Sequence, residues 1–537
     1  MARAVGRHSG HALRLADLSA VFATIGHVVR LTRAGYVLAR EGALDIVDTT
    51  ELPPGPSFAV RLGRRLGRRG KGGGRLAAAM TRLGPSWIKL GQFLATRRDV
   101  VGDVAANDLS QLQDKLPPFP QERAKEAVAA GLGGGVDRVY DHFGGSVAAA
   151  SIAQVHKASA DGAPVAVKIL RPGVEERFST DLRTFFFAAR TFERLDPRMR
   201  RLRPVEVVET LARSVTLEMD LRMEAAAISE VAENTKEDQG FRVPRVDWNR
   251  SAKRVLTIEW VDGTSIGDLE SLEAAGHDLK RLGALVIQTF LRQALRDGFF
   301  HADMHQGNLF VERDGTLVAV DFGIMGRLGV RERRFLAEIL WGFIRRDYRR
   351  TAEVHFEAGY VPAHHSVDDF AQALRAIGEP LRDKTARDIS MARLLTQLFE
   401  VTELFDMRTR PELLLLQKTM VVVEGVGRML DPELDIWKTA EPVVGEWIAR
   451  NLGPQAALQA AADGAGGLSR LLYVAPELLA RGERVAHGLA EMARSGVHLD
   501  DDSVEAIAET TARRTRWGRV AMWVAAIALV VIAVAVT

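Results

Sequence analysis

The chain has 537 residues, enough for two or three domains with cores of their own. Lysine and arginine (72) nearly balance aspartate and glutamate (69), and the formal charge of +3 offers no overall cationic field that would draw the protein to nucleic acid. With 0 cysteines there are no disulfides, iron–sulfur centres or thiolate zinc sites, so the chemistry falls to Asp, Glu, Asn, Lys and His.

The N-terminus carries early arginines but no uninterrupted apolar run followed by a cleavage site, so no secretory signal is expected. Residues 12–45 place Leu, Val and Ile at helical spacing, and residues 49–75 combine Pro, Gly and clustered Arg, so 1–75 reads as a helical segment and a basic linker. Residues 76–136 form a second helical segment through PSWIKLGQFLATR, broken by prolines between Leu116 and Pro120. From 137 to 170 the period shortens to two: VYDHF, SIAQVHKA and APVAVKIL are strand-like and separated by Gly and Asp-Gly turns. Helical patterning returns over 175–238, followed by two expected strands, RVPRVDW and RVLTIEWV, which complete a small lobe over 137–265. A mainly helical lobe is expected over 266–515. It opens with a helix from Asp268 to about Arg296 and the hairpin HADMHQGNLFVERDGTLVAVDFG.

Residues 520–537, VAMWVAAIALVVIAVAVT, are uncharged, and as a helix they would rise about 27 Å, close to the apolar thickness of a bilayer. Arg513, Arg514, Arg516 and Arg519 precede them, with Trp517 and Trp523 at the expected interface. This pattern predicts one transmembrane anchor with everything upstream in the cytoplasm.

The residues that bear chemistry stand in a recognisable order. Lys168 lies in a strand-like run on the face opposite Val165, Val167 and Ile169, where its ammonium can meet phosphate. Upstream is a small-residue loop, Val147, Ala148, Ala149, Ala150, Ser151, Ile152, Ala153, Gln154 and Val155, where a nucleotide can approach the backbone. Downstream, Asp303 precedes Asn308 by five residues and Asp321 by eighteen, and Asp321 opens an Asp-Phe-Gly triplet. That is the protein-kinase order of catalytic Asp, metal-binding Asn and metal-binding Asp. Hard oxygen donors at Asn308 and Asp321 suit magnesium or manganese, and Asp303 is placed to orient or deprotonate an acceptor hydroxyl or water. His301 and His305 are four apart, but without a following glutamate and in a loop they do not read as a zinc motif.

The sequence departs from ordinary protein kinases. Ala148–Ser151 replaces the glycine-rich loop, His-Ala-Asp replaces His-Arg-Asp, no Ala-Pro-Glu follows, and a K-x-G-Q motif (Lys89, Gly91, Gln92) precedes the lobe. With these features the chain resembles the UbiB/ADCK family of atypical kinase-like proteins that support ubiquinone biosynthesis. The resemblance implies an α+β, two-lobed protein-kinase-like fold with an N-terminal K-x-G-Q extension and a C-terminal transmembrane helix. It implies a K-x-G-Q helix that folds over the site and meets an E-x-D motif, here Glu218 and Asp220, and a Glu224 that pairs with Lys168. Without it, these three acids are simply a charged helix face. The implied activity is that of an ATP- and Mg-dependent ATPase or small-molecule kinase on the bacterial inner membrane, acting on membrane lipids or quinone precursors, with ubiquinone-biosynthesis enzymes as implied partners. Bacterial members commonly carry two C-terminal spans, whereas this sequence supports one. Two other readings are an aminoglycoside- or choline-kinase-like phosphotransferase and a non-catalytic, nucleotide-switched membrane scaffold.

Overall fold

The structure, a computed structural model, describes residues 24–46, 64, 74–95, 97–112, 116–195, 203–379, 401–402, 404–407 and 411–452. The segment expected to span a membrane, 520–537, and most of the basic linker lie outside the described residues. Among the described residues no helix is long and apolar enough to cross a membrane. Residues 29–450 form one compact unit, and the site lies in it.

After a helix over residues 24–40 (α1) come three helices: α2 (Arg75–Leu83), α3 (Pro85–Ala95) and α4 (Arg98–Leu109). Asp108 near the end of α4 caps the start of α2, accepting from the backbone N–H groups of Gly74 (2.9 Å), Arg75 (3.1 Å) and Ala77 (2.9 Å). Those donors have no partner within their own helix, so a carboxylate at its positive end stabilises the three-helix unit. Helix α5 (Gln121–Leu132) follows and rests on the small lobe.

The small lobe is an antiparallel sheet in the order β1 (His142–Ala149), β2 (Ala153–Ala160), β3 (Ala163–Leu170), β5 (Val255–Glu259). Ala160 pairs with Ala163 across a two-residue turn, Asp161-Gly162, whose φ angles of 51° and 76° are both left-handed. An Asp-Gly pair favours that turn, and it fixes the register of β2 on β3. One face of the sheet, with Val165, Val167 and Ile169, buries against Ala124 and Val128 of α5. The other face carries Val155, Lys168 and Leu256 in one cross-strand row. Lys168 therefore emerges on the face opposite the valines.

Helices α6 (Val174–Leu195), α7 (Pro204–Glu218) and α8 (Leu221–Asn234) are inserted between β3 and β5. The strand expected over RVPRVDW shrinks to β4 (Phe241–Arg242) and an isolated bridge from Val246 to Ile258. Pro244 between them has no N–H to donate to a ladder. β4 joins the second sheet, ordered β4, β9 (Leu317–Ala319), β8 (Leu309–Val311), β6 (Thr264–Ser265), while β7 (Phe299–His301) pairs with β10 (Met325–Arg327).

The large lobe is built on α9 (Leu279–Arg292), capped by Asp278, with α10 (Val330–Arg345), α11 (Tyr348–Glu357), α12 (Val367–Gly378), α13 (Pro411–Leu430) and α14 (Ile436–Leu452). Helix α9 packs closely on α13 where Gly283 faces Gly427, since a Cβ at 283 would lie 3.1 Å from the Gly427 carbonyl oxygen. The chain leaves α9 through a π-turn at Gln293–Asp297 and enters β7, where buried Phe300 meets Phe290 edge-on with ring centroids 5.7 Å apart. That packed pair sets the height of the loop that follows.

Candidate functional site

The loop 301–308 is fixed from below. His301 is buried, its backbone N–H donates to Gln293 Oε1 (3.0 Å), its Nε2 lies 3.1 Å from the Val320 carbonyl oxygen, and its Nδ1 accepts from the Asp303 N–H at 3.1 Å. One neutral tautomer, protonated on Nε2, satisfies both ring contacts. Burial holds its pKa below the ordinary value and so favours that neutral form. The ring also meets buried Phe322 of the Asp-Phe-Gly triplet, centroids 4.9 Å apart. His301 thus ties the catalytic loop to the triplet as a structural clasp.

Asn308 and Asp321 flank the β8–β9 hairpin, and the Val320 N–H donates to the Asn308 carbonyl at 2.9 Å. The Asn308 side-chain Nδ2 donates to the Asp303 carbonyl oxygen at 3.0 Å, which leaves Oδ1 as its hard-oxygen donor. Asp321 has a left-handed backbone, φ 60°, uncommon for a residue with a side chain, and its carboxylate is half-exposed at 49%. A carboxylate and an amide oxygen at the two ends of one hairpin fit a hard divalent cation.

Across from them, Lys168 Nζ donates to Glu224 Oε1 at 2.8 Å and to Asp321 Oδ1 at 2.7 Å. Lys89 of α3 pairs with Glu218 at the end of α7. The two pairs feel each other. The Asp321 side chain reaches solvent along one edge, and the enclosure of its other edge resists ionisation, yet the charge and hydrogen bond of Lys168, with His301 and Lys89 behind, hold its carboxyl well below the usual range. Glu224 moves the other way: burial, outweighing the pull of Lys168 and aided by the charges of Asp321 and Glu218, pushes its carboxyl up to about 7. Lys168 is held above its ordinary value, because Asp321 and Glu224 overcome the burial that would lower it. Gly323 stands against this cluster, where an added Cβ would lie 3.3 Å from Asp321 Oδ1.

The remaining sequence-predicted residues divide. Helix α3 is held to the insert by Trp87, edge-on to Phe185 at 4.9 Å, as well as by Lys89. Gly91 is buried, and a Cβ there would meet Leu112 Cδ1 at 2.4 Å, so it serves close packing with the chain beyond α4. Gln92 is half-buried on the same helix. Asp220 caps α8 through the Arg222 N–H (3.1 Å) and pairs with the Arg222 guanidinium (2.7 Å), a helix-end role that its spacing from Glu218 had not suggested. The helix breaks between Glu218 and Leu221, so the three acids do not share one continuous face.

Of the small-residue stretch expected as a loop, only residues 150–152 turn, because Val147, Ala148 and Ala149 end β1, and Ala148 and Ala149 pair back onto Val155 and Gln154 at the start of β2. Val147 and Ala148 are exposed, Ala149, Ala150 and Val155 are half-buried, and Ser151, Ile152, Ala153 and Gln154 are buried. The Ala150 N–H is already donated to the Ala153 carbonyl at 2.8 Å. Gln154 lies in the row with Ile169, on the other face from Lys168, its Oε1 accepting from the Phe119 N–H at 2.9 Å and its Nε2 lying 2.7 Å from His156 Nε2. Arg171 donates to the carbonyls of Ala150 and Pro117, both at 2.9 Å, and so straps the loop to the proline-rich segment.

Sequence reasoning missed Lys418 and Thr419 on α13. Lys418 Nζ lies 3.8 Å from Asp303 Oδ1, and the buried Thr419 hydroxyl shares its one proton between the Leu415 carbonyl (2.8 Å) and the Ala302 carbonyl (3.1 Å). Their signal is a polar triplet, Gln417, Lys418 and Thr419, interrupting the apolar run LLLLQKTMVVV. A separate exposed cluster brings His365 Nε2 to 3.2 Å and His364 Nε2 to 3.6 Å from Asp406 Oδ2, at distances that ordinary hydrogen bonding and ion pairing account for.

Residues 111–355 match the family model described as the ABC1 atypical kinase-like domain, and residues 374–435 match the UbiB helical domain. The chain is 40% identical to the "Probable protein kinase UbiB" of Marinobacter nauticus over 388 residues, 71% of each chain. It is also 40% identical to that of Pseudomonas aeruginosa PAO1 over 446 residues, 80% of this chain and 83% of the other. The chain belongs to the UbiB family. As a UbiB-family member it carries an atypical kinase-like domain, which implies ATP binding, and it is implicated by homology in ubiquinone biosynthesis. Lys418 and Thr419 fall within the UbiB helical match. Among solved structures it is similar to Rv3197 of Mycobacterium tuberculosis, described as a complex with erythromycin, at 26% identity over 61% of this chain and 83% of that one, with a TM-score of 0.48.

Proposed function

We propose that the protein is a membrane-associated ATPase or small-molecule kinase that promotes ubiquinone synthesis by acting on, or helping to extract, lipid-like quinone precursors. The observation that carries the reading is that the Lys168 ammonium donates to both Glu224 and Asp321, beside the Lys89–Glu218 pair. The K-x-G-Q helix thereby contributes a cation to the cluster where a protein kinase would leave room for a peptide. The expected anchor at 520–537 and the basic segment before it would keep the site beside anionic lipid.

In the reaction, an acceptor hydroxyl or water oxygen forms a bond to the γ-phosphorus while the bond from that phosphorus to the bridging oxygen breaks. ADP leaves with the electron pair, and the acceptor proton passes to the Asp303 carboxylate. Lys168 turns its ammonium from Asp321 toward the phosphates while Glu224 keeps its hydrogen bond to that ammonium. Asn308 and Asp321 would hold a magnesium ion, which would supply neutralisation of the phosphate charge.

The test is ATP hydrolysis by the full chain, with and without vesicles of anionic lipid carrying a phenolic quinone-precursor analogue. Asp321→Asn is the control, because asparagine tolerates the left-handed backbone and removes only the charge. Turnover stimulated by the vesicles and lost in Asp321→Asn is expected. Nucleotide binding without turnover under any condition overturns the enzymatic reading in favour of a nucleotide-switched scaffold.

A further inference from the structure

We infer that Lys418, presented by α13, is the cation that meets the transferred phosphoryl group beside Asp303, an inference that rests on the phosphotransfer reading above. The need comes from the chemistry. In a loose transition state, negative charge spreads over the three equatorial oxygens of the phosphoryl group, and cations must face it where it lies between leaving group and acceptor. Lys168 is engaged by Glu224 and Asp321, and Lys89 by Glu218. Both lie on the metal side of the cluster.

On the acceptor side the geometry is different. The Asp303 carboxylate is flanked by Lys418 Nζ, 3.8 Å from Oδ1, and by His305 Nε2, 3.6 Å from Oδ2. Both separations exceed a hydrogen bond, so Lys418 is near Asp303 without being bound by it. Its side chain is 45% exposed and can swing into the cleft, whereas the adjoining backbone cannot move freely. Thr419 is fully buried, and its hydroxyl reaches both the Leu415 carbonyl (2.8 Å) and that of Ala302, the residue before Asp303. On the next turn of α13, Val423 is buried in the core of the large lobe. A rigid helix locked to the catalytic loop thus carries one mobile ammonium to the catalytic carboxylate. In transfer, Lys418 keeps its proton and contributes charge alone.

A surface ion pair with no other role contributes little to stability, and its loss would leave turnover intact. The test therefore compares full-length wild type with Lys418→Met, Lys418→Gln and Lys418→Arg. It measures kcat and KM for ATP, thermal midpoint, and affinity for ADP with aluminium fluoride relative to ADP alone. The inference expects Met and Gln to lower kcat about 100-fold. KM for ATP should stay within about threefold, because the loss falls on the transition state rather than on ground-state binding. The thermal midpoint should hold, the preference for the aluminium-fluoride complex should fall in parallel with kcat, and Arg should recover part of both.

Wild-type kcat and an unchanged analogue preference in Met and Gln would overturn the inference while leaving the ATPase reading standing. If instead wild type hydrolyses nothing, the analogue arm still decides. A preference for the aluminium-fluoride complex that Met abolishes supports Lys418 as the phosphoryl cation, and wild type with no such preference overturns it.

Discussion

Two sides of the cleft are wired differently. On one, Lys168, Glu224 and Asp321 are joined at 2.7–2.8 Å, with a second lysine–glutamate pair alongside. On the other, Asp303 stands 3.6–3.8 Å from His305 and Lys418, close enough for charge and too far for a hydrogen bond. The first arrangement is complete in itself and must rearrange to accept phosphates and a metal. The second is open and becomes complete only when an acceptor and a phosphoryl group fill the gap. Turnover should therefore need both sides, and stability should depend on the first far more than on the second.

The largest effect is expected from Asp303→Asn, which removes the proton acceptor and nothing that holds the fold. Turnover should fall about 1,000-fold, with nucleotide affinity and thermal midpoint near those of wild type. A matching loss of stability would erase the contrast between the two sides.

Lys168→Met strikes the wired side. It leaves the Glu224 carboxyl, 7% exposed, without its counter-ion, and chemical denaturation should show a loss of about 3 kcal/mol together with weakened nucleotide binding. A loss below about 1 kcal/mol would mean that the cluster is no tighter in energy than the Asp303 side.

The smallest effect is a pH slope. Because the Glu224 carboxyl is raised to about 7 from an ordinary value of 4.5, the folded state holds its proton through that window while the unfolded state releases it. Wild type should then lose stability relative to Glu224→Gln as pH rises from about 4.5 to about 7, by about 1–3 kcal/mol, and hold a constant difference above it. Buried His301 acts in the opposite direction in both proteins, losing stability as pH falls, and so cancels in the comparison. A flat difference across the window would place Glu224 as an ordinary ionised partner of Lys168.

Much of this was legible in the sequence because it is local. Alternation alone put Lys168 opposite Val165, Val167 and Ile169, the Asp-Gly at 161–162 announced its own turn, and the spacing of Asp303, Asn308 and Asp321 spans a single hairpin. What was hidden depends on distance along the chain. Lys418 approaches Asp303 from 115 residues away in sequence. Gln154 reads as part of a phosphate loop until the register turns its amide toward Phe119. Asp220 looked like one of three acids on a face until the helix broke beneath it and made it a cap. The strand expected across Pro244 failed for a local reason, the missing N–H, that the sequence did contain.

Thr419 gives α13 the first of two clamps. Its twenty residues extend about 30 Å, and the hydroxyl contact with Ala302 fastens the helix to the loop before Asp303 near its middle. Farther along, Gly427 lies against Gly283 and Leu430 is buried, so a rod gripped at two points has no hinge about either. Lys418, one residue from the first clamp, keeps its station beside Asp303 because the helix that presents it is held on both sides of that point.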